Sequence, residues 1–158
     1  MPSTYEKIAT TTLGSSATST TFSSISGAYT DLVLVFQGTG VSGGTLTYQF
    51  NGDTSALYSD TYMYSDGSAG SGRHQDQIQI FGAGINTSRC MQIINIMNYA
   101  NTTTNKVTLL RGNANGIGAT VAFVGLWRSN DAITSIKLNL SSSFASGSTF
   151  TLYGILKA

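Results

Sequence analysis

Apolar side chains recur at every second position through most of this chain. In DLVLVFQ (31–37), Leu32, Leu34 and Phe36 share one face, and Val33 and Val35 share the other. In TLTYQF (45–50), Leu46, Tyr48 and Phe50 face one way and Thr45, Thr47 and Gln49 the other. QIQIF (77–81) turns Ile78 and Ile80 inward, and SIKLNLS (135–141) sets Ile136, Leu138 and Leu140 against Lys137 and Asn139. A period of two belongs to the pleated strand, whose successive side chains point to opposite faces. The first segment, apolar on both faces, predicts a central strand. The others predict half-buried ones.

Further strands are expected over residues 5–12, 18–25, 57–64, 89–98, 105–111, 119–127 and 148–156, for a total of about ten. Between them lie SGG (42–44), NGD (51–53), DGSAGSG (66–72), GAG (82–84), NANGIG (113–118) and ASG (145–147), where Gly and Asn tolerate a positive φ. No window combines helical periodicity with capping residues, and the only proline is Pro2. The expectation is an all-β fold: a single-domain antiparallel β-sandwich, jelly-roll-like, spanning residues 1–158, with residues 1–12 as an edge strand or contact arm. Residues 65–75 (SDGSAGSGRHQ) are expected to form an exposed loop carrying the Arg73-His74 pair.

Composition narrows the function. Charged residues are 9% of the chain, against a usual ~25%. A polar surface with little charge suits contact with other protein, because few charges are desolvated on association. The eight basic residues are scattered and the net charge is +1, so nucleic-acid binding is not expected. The start, MPSTYEKIATTT, lacks the apolar core of a secretion signal, and no apolar run reaches the ~18 residues of a membrane span. No membrane partner is expected.

Catalytic chemistry finds little material. His74 is the only histidine and Cys90 the only cysteine, which excludes a disulfide framework and a zinc site. No nucleophile elbow precedes a helix, so no Ser-His-Asp triad is expected. Six aspartates and one glutamate could supply a glycosidase pair, but no spacing singles one out. GSAGSG (67–72) precedes a strand rather than the helix a phosphate cradle needs. In FNGDTSALYSD (50–60), Asp53 and Asp60, with Asp66 beyond, could serve a calcium ion between loops. The plainer reading of Asn51-Gly52 is a hairpin connection with Asp53 bonding the turn backbone. No catalytic, cofactor-binding or metal-binding residue is assigned.

Several segments, taken in order, carry a resemblance: YEKIATTTL (5–13), FSSISGAYTDLVLVF (22–36), FNGDTSALYS (50–59), GLWRSNDAITSIKLNL (125–140) and FASGSTFTLYGI (144–155). Together they resemble a group of small tailed-bacteriophage virion proteins, especially from phages of aquatic bacteria and cyanobacteria. Some members are capsid decoration (cement) proteins, and related domains occur in tail fibres. Where relatives often carry a proline before the AYTDL segment, this chain has Ser26-Gly27.

The resemblance implies a non-enzymatic virion structural protein on the outer surface of the particle, made in the host cytoplasm and partnered by the major capsid protein. It also implies self-association as a homotrimer, because a closed ring matches threefold shell positions. It brings no catalytic residue. The contact residues expected are Tyr5, Glu6 and Lys7 in the N-terminal arm and Arg73 and His74 in the 65–75 segment. The alternative is a tail-fibre or receptor-binding module in which Tyr48, Tyr58, Tyr62 and Tyr64 form a platform for host glycans. The same tyrosines can equally be cross-strand pairs. The chain beginning in a strand, with no coiled coil or anchoring region, counts against the tail-fibre reading. An enzyme acting on host polysaccharide ranks last.

Overall fold

The computed structural model describes residues 4–113 and 119–156. Most of the NANGIG turn, and residues 1–3 of the expected N-terminal arm, lie outside the described residues. Twelve strands form where about ten are expected: β1 (Tyr5–Thr12), β2 (Ala17–Phe22), β3 (Asp31–Gly38), β4 (Gly44–Phe50), β5 (Tyr58–Ser65), β6 (Ala69–Gln77), β7 (Ile80–Ile85), β8 (Cys90–Met97), β9 (Lys106–Asn113), β10 (Thr120–Trp127), β11 (Ile136–Phe144) and β12 (Thr149–Ile155). They build a sandwich of two unequal antiparallel sheets. The larger has eight strands in the order β1-β12-β3-β8-β9-β10-β5-β6, and the smaller has four in the order β2-β11-β4-β7.

Apolar alternation explains the layering. Leu32, Leu34 and Phe36 of β3, Ile94 and Ile96 of β8, Leu110 of β9, and Phe150 and Leu152 of β12 point to the inner face of the large sheet. Leu46, Tyr48 and Phe50 of β4 meet them from the small sheet with Leu138 and Leu140 of β11. Each such apolar side chain contributes roughly 1.5–3 kcal/mol on burial. Aromatic rings fill two ends of the space. Phe36, Phe144 and Phe150 cluster with centroids 4.9–5.4 Å apart. Phe50, Tyr58 and Trp127 form the second group, with Tyr58 stacked on Trp127 at 6.0 Å and 12°.

Two landmark segments interlock. Tyr29, just before β3, lays its ring over Gly154 of β12, where a Cβ would collide with the ring carbons. Glycine is therefore required at that point of β12 by close approach.

Four local expectations are corrected. Residues 65–75 are no exposed loop, because only Asp66–Ser68 turns; Ser65 ends β5 and residues 69–75 lie in β6, paired with β5 from Tyr58↔Gln77 to Ser65↔Ala69. The strand forms despite its Gly and Ser content because Tyr64 and Tyr62 lie across Gly70 and Gly72 and supply the packing these residues lack. GAG (82–84) is no turn but the middle of β7, where the missing side chain of Gly82 lets Leu110 and Leu46 close in. Residues 77–81 are no strand, since the chain bends at Ile78 and Gln79; Ile80 is buried but Ile78 is 50% exposed.

The fourth concerns Asn51-Gly52. The turn is present, with φ of 53° and 68° and an Asp53 N–H to Phe50 carbonyl bond of 2.9 Å, the geometry of a type I′ turn. It makes no hairpin, however: β4 belongs to the small sheet and β5 to the large one. The turn carries the chain from one layer to the other.

Candidate interaction surface

The expected contact residues separate. Tyr5, Glu6 and Lys7 lie on β1 at one edge of the large sheet, and Arg73 and His74 lie on β6 at the opposite edge. Seven strand spacings of ~4.8 Å put them about 34 Å apart. Tyr5 meets Tyr153 edge-on at 6.4 Å, and the Glu6 carboxylate lies against the Tyr29 hydroxyl. Arg73 is exposed opposite Thr61.

His74 points inward. Its Nδ1 is 2.7 Å from Asp60 Oδ1, and the Asp60 side chain has no exposed surface. The other Asp60 oxygen accepts the Phe81 N–H at 3.2 Å, so one carboxylate ties the large sheet to the edge strand of the small one. The imidazole is stacked between Phe81 at 4.4 Å and Tyr62 at 5.4 Å, and Tyr62 stacks on Phe123 at 5.1 Å. This four-ring stack with a buried carboxylate closes the corner between β5, β6 and β7. The sequence hides it, because Asp60 and His74 face each other only once β6 exists.

The tyrosine platform is not assembled. Tyr48 and Tyr58 are fully buried. The Tyr48 hydroxyl bonds Thr108 Oγ1 at 2.7 Å, and the Tyr58 hydroxyl accepts the Phe50 N–H at 3.1 Å. Burial pushes the Tyr58 phenol up to about 12. Tyr62 belongs to the ring stack, which leaves Tyr64 as the exposed one. Tyr64 lines, with Met63, Gly70, Ser71, Val121 and Ala122, an open groove of about 470 Å³.

Nor do the loop carboxylates converge. Asp53 Oδ1 accepts the Ser55 N–H and hydroxyl at 2.8 and 2.5 Å, and its Oδ2 accepts the Trp127 indole N–H at 2.7 Å. Asp66 bonds the Ser68 N–H at 3.1 Å. Among the described residues no three His, Cys, Asp or Glu side chains are grouped to hold a metal ion. Burial alone would raise the Asp53 carboxyl, but the bonds from Ser55 and Trp127 outweigh it and hold it below its ordinary 3.8. A depressed folded-state value contributes stability that is present above the unfolded value and lost as pH falls through the folded one. Asp53→Asn should therefore flatten the acid limb of the stability–pH curve below 3.8; an unchanged limb in urea titrations at successive pH values would refute this role.

One buried cation was not singled out by the sequence. Lys106 is fully buried, with Nζ donating to the Thr104 carbonyl at 2.8 Å; burial pushes its ammonium down, partly offset by Asp131. Cys90 is also buried, and burial pushes its thiol up to about 11.

The outer faces of the two sheets differ sharply. On the small sheet, Thr21–Lys137–Gln49 and Ser19–Asn139–Thr47 run in register across β2, β11 and β4, all polar. On the large sheet, three rows cross β8, β9, β10 and β5. They run Ile93–Arg111–Ala122–Met63, Asn95–Leu109–Val124–Thr61 and Met97–Val107–Leu126–Ser59. Val35 and Val33 of β3 extend the first two rows. These side chains alternate with core residues, so they point away from the small sheet. Val33 is buried yet stands outside the core cluster, as this placement requires. Met63 is 65% exposed and Val124 51%. Strand periodicity in the sequence shows these residues as a second apolar face, but only the sheet order joins them into one patch.

No protein-family model matches the chain, and no curated protein matches it in sequence.

Proposed function

We propose that this chain is a non-enzymatic structural subunit of a phage particle, most concretely a capsid decoration protein that binds the outer shell and partners the major capsid protein. The observation that supports this best is the apolar outer face of the large sheet. Contiguous apolar patches of this kind mark surfaces that work against other protein. The low charge of the chain and the resemblance of its ordered segments to phage virion proteins support the same reading. Of the four tyrosines that the receptor-binding alternative calls on, Tyr48 and Tyr58 are in the core.

Shell contact is assigned to the β1 edge, where Tyr5 and Lys7 are exposed on the outermost strand of the larger sheet. Removing residues 1–8 would uncover β12, so the test keeps the backbone. Tyr5→Ala combined with Lys7→Ala is expected to lower co-sedimentation with undecorated phage heads at least tenfold while leaving the melting temperature within about 2 °C, as for a surface change of ±0.5 kcal/mol. A wild-type protein that does not adsorb to heads at all would overturn the proposed function.

A further inference from the structure

We infer that the outer face of the eight-stranded sheet is covered by the same face of a second copy of this chain, in a two-fold, sheet-to-sheet dimer. The inference rests on the reading above only in taking this face as one that works covered by protein.

Extent comes first. The apolar rows span five strands, β3 to β5, and five residue positions. At ~4.8 Å between strands and ~3.4 Å per residue, that is about 24 by 17 Å, or about 400 Å² in projection. The face without β1, seven strands by about seven residues, comes to roughly 800 Å² by the same spacings. A stable interface takes ~800 Å² from each partner, with an apolar centre and a polar rim. This face has that layout: Leu109 and Val124 lie at the centre, and Thr151 and Arg73 stand towards the edges.

Geometry and charge favour a second copy as the occupant. Two twisted sheets pack face to face with their strands nearly aligned, which any sheet can do with its own copy. An axis across the strands, through the row Asn95–Leu109–Val124, sets each of these residues against its own counterpart. It sets Arg111 against the partner's Val107 position, so the one charge within the three rows does not meet itself. A freshly made chain meets its own copies at the highest concentration, when this face most needs cover.

The arrangement closes at two copies, whereas the resemblance implies three. Light scattering on the eluted protein at about 50 µM, well above a micromolar dissociation constant, is expected to give twice the 16.6 kDa chain mass. Val124→Asp places two carboxylates on the axis at a position already half exposed, and is expected to elute as a folded monomer. Peroxide oxidation gives a second measurement on the unaltered chain: Met97 and Met63 should oxidise several-fold more slowly at high protein concentration than after dilution.

A monomer at every concentration with unchanged oxidation rates overturns the inference, as does a trimer, or a dimer indifferent to Val124→Asp. If the monomer binds heads and Val124→Asp abolishes binding, the shell covers this face and the inference falls while the decoration reading stands. A dimer split by Val124→Asp that ignores heads leaves the inference standing and removes the decoration reading.

Discussion

Replacing His74 with Ala should lower the unfolding free energy by about 3 kcal/mol, the lower end of what leaving a buried carboxylate without its hydrogen-bond partner costs. The Asp60 side chain is fully enclosed, and its Oδ1 has His74 Nδ1 as its partner at 2.7 Å. Without the imidazole, a carboxylate remains in the corner between the sheets with only the Phe81 N–H to satisfy it. The ring stack also loses its middle member between Phe81 and Tyr62. The low end is chosen because His74 is 34% exposed, so water can enter its place. In an Asp60→Asn background the same replacement should cost about 1 kcal/mol, since a neutral amide strands no charge. Urea titrations of the four proteins in the cycle measure the difference. Equal costs in both backgrounds would show that Asp60 gains nothing from its histidine.

Asn51→Ala should cost a similar amount for a different reason. Asn51 holds φ at 53°, a region that costs ordinary L-residues roughly 1–2 kcal/mol. Its side chain also binds the segment leading into β11: Oδ1 accepts the N–H groups of Thr134 and Ser135 at 2.8 and 3.1 Å, and Nδ2 donates to the Ala132 carbonyl at 2.9 Å. Each such bond is worth about 1 kcal/mol net. Alanine loses both contributions, for a total of about 4 kcal/mol. Asn51→Gly restores the backbone freedom but not the bonds, and should recover about 1 kcal/mol of the loss. Equal unfolding midpoints for the Ala and Gly variants would mean that conformation carries none of the effect. Tight equivalence of Asn51→Gly with the original would remove the stapling role.

The Asn51-Gly52-Asp53 stretch shows where local reading stops. Its turn type was legible, because a positive φ at two successive residues selects Asn and Gly whatever surrounds them. Its place in the fold was not. Pairing of the flanking strands depends on which sheet buries each of them, and β4 and β5 are drawn to opposite layers by neighbours far away in sequence, β11 and β10. The β6 segment failed differently. Gly70 and Gly72 carry no strand signal of their own, and what holds them in a strand is the cover given by Tyr64 and Tyr62.

Alternation alone determined that this chain is all-β, since a period of two belongs to the pleated strand. It also showed which residues face the core: Leu46, Tyr48 and Phe50 are buried as the pattern requires. Tertiary structure alone decided the division into eight and four strands, the burial of Asp60 beneath His74, and the union of side chains from β3 to β5 into one apolar face. These depend on contacts between strands distant in sequence, and a one-dimensional pattern carries the direction of each side chain but not the identity of its neighbour.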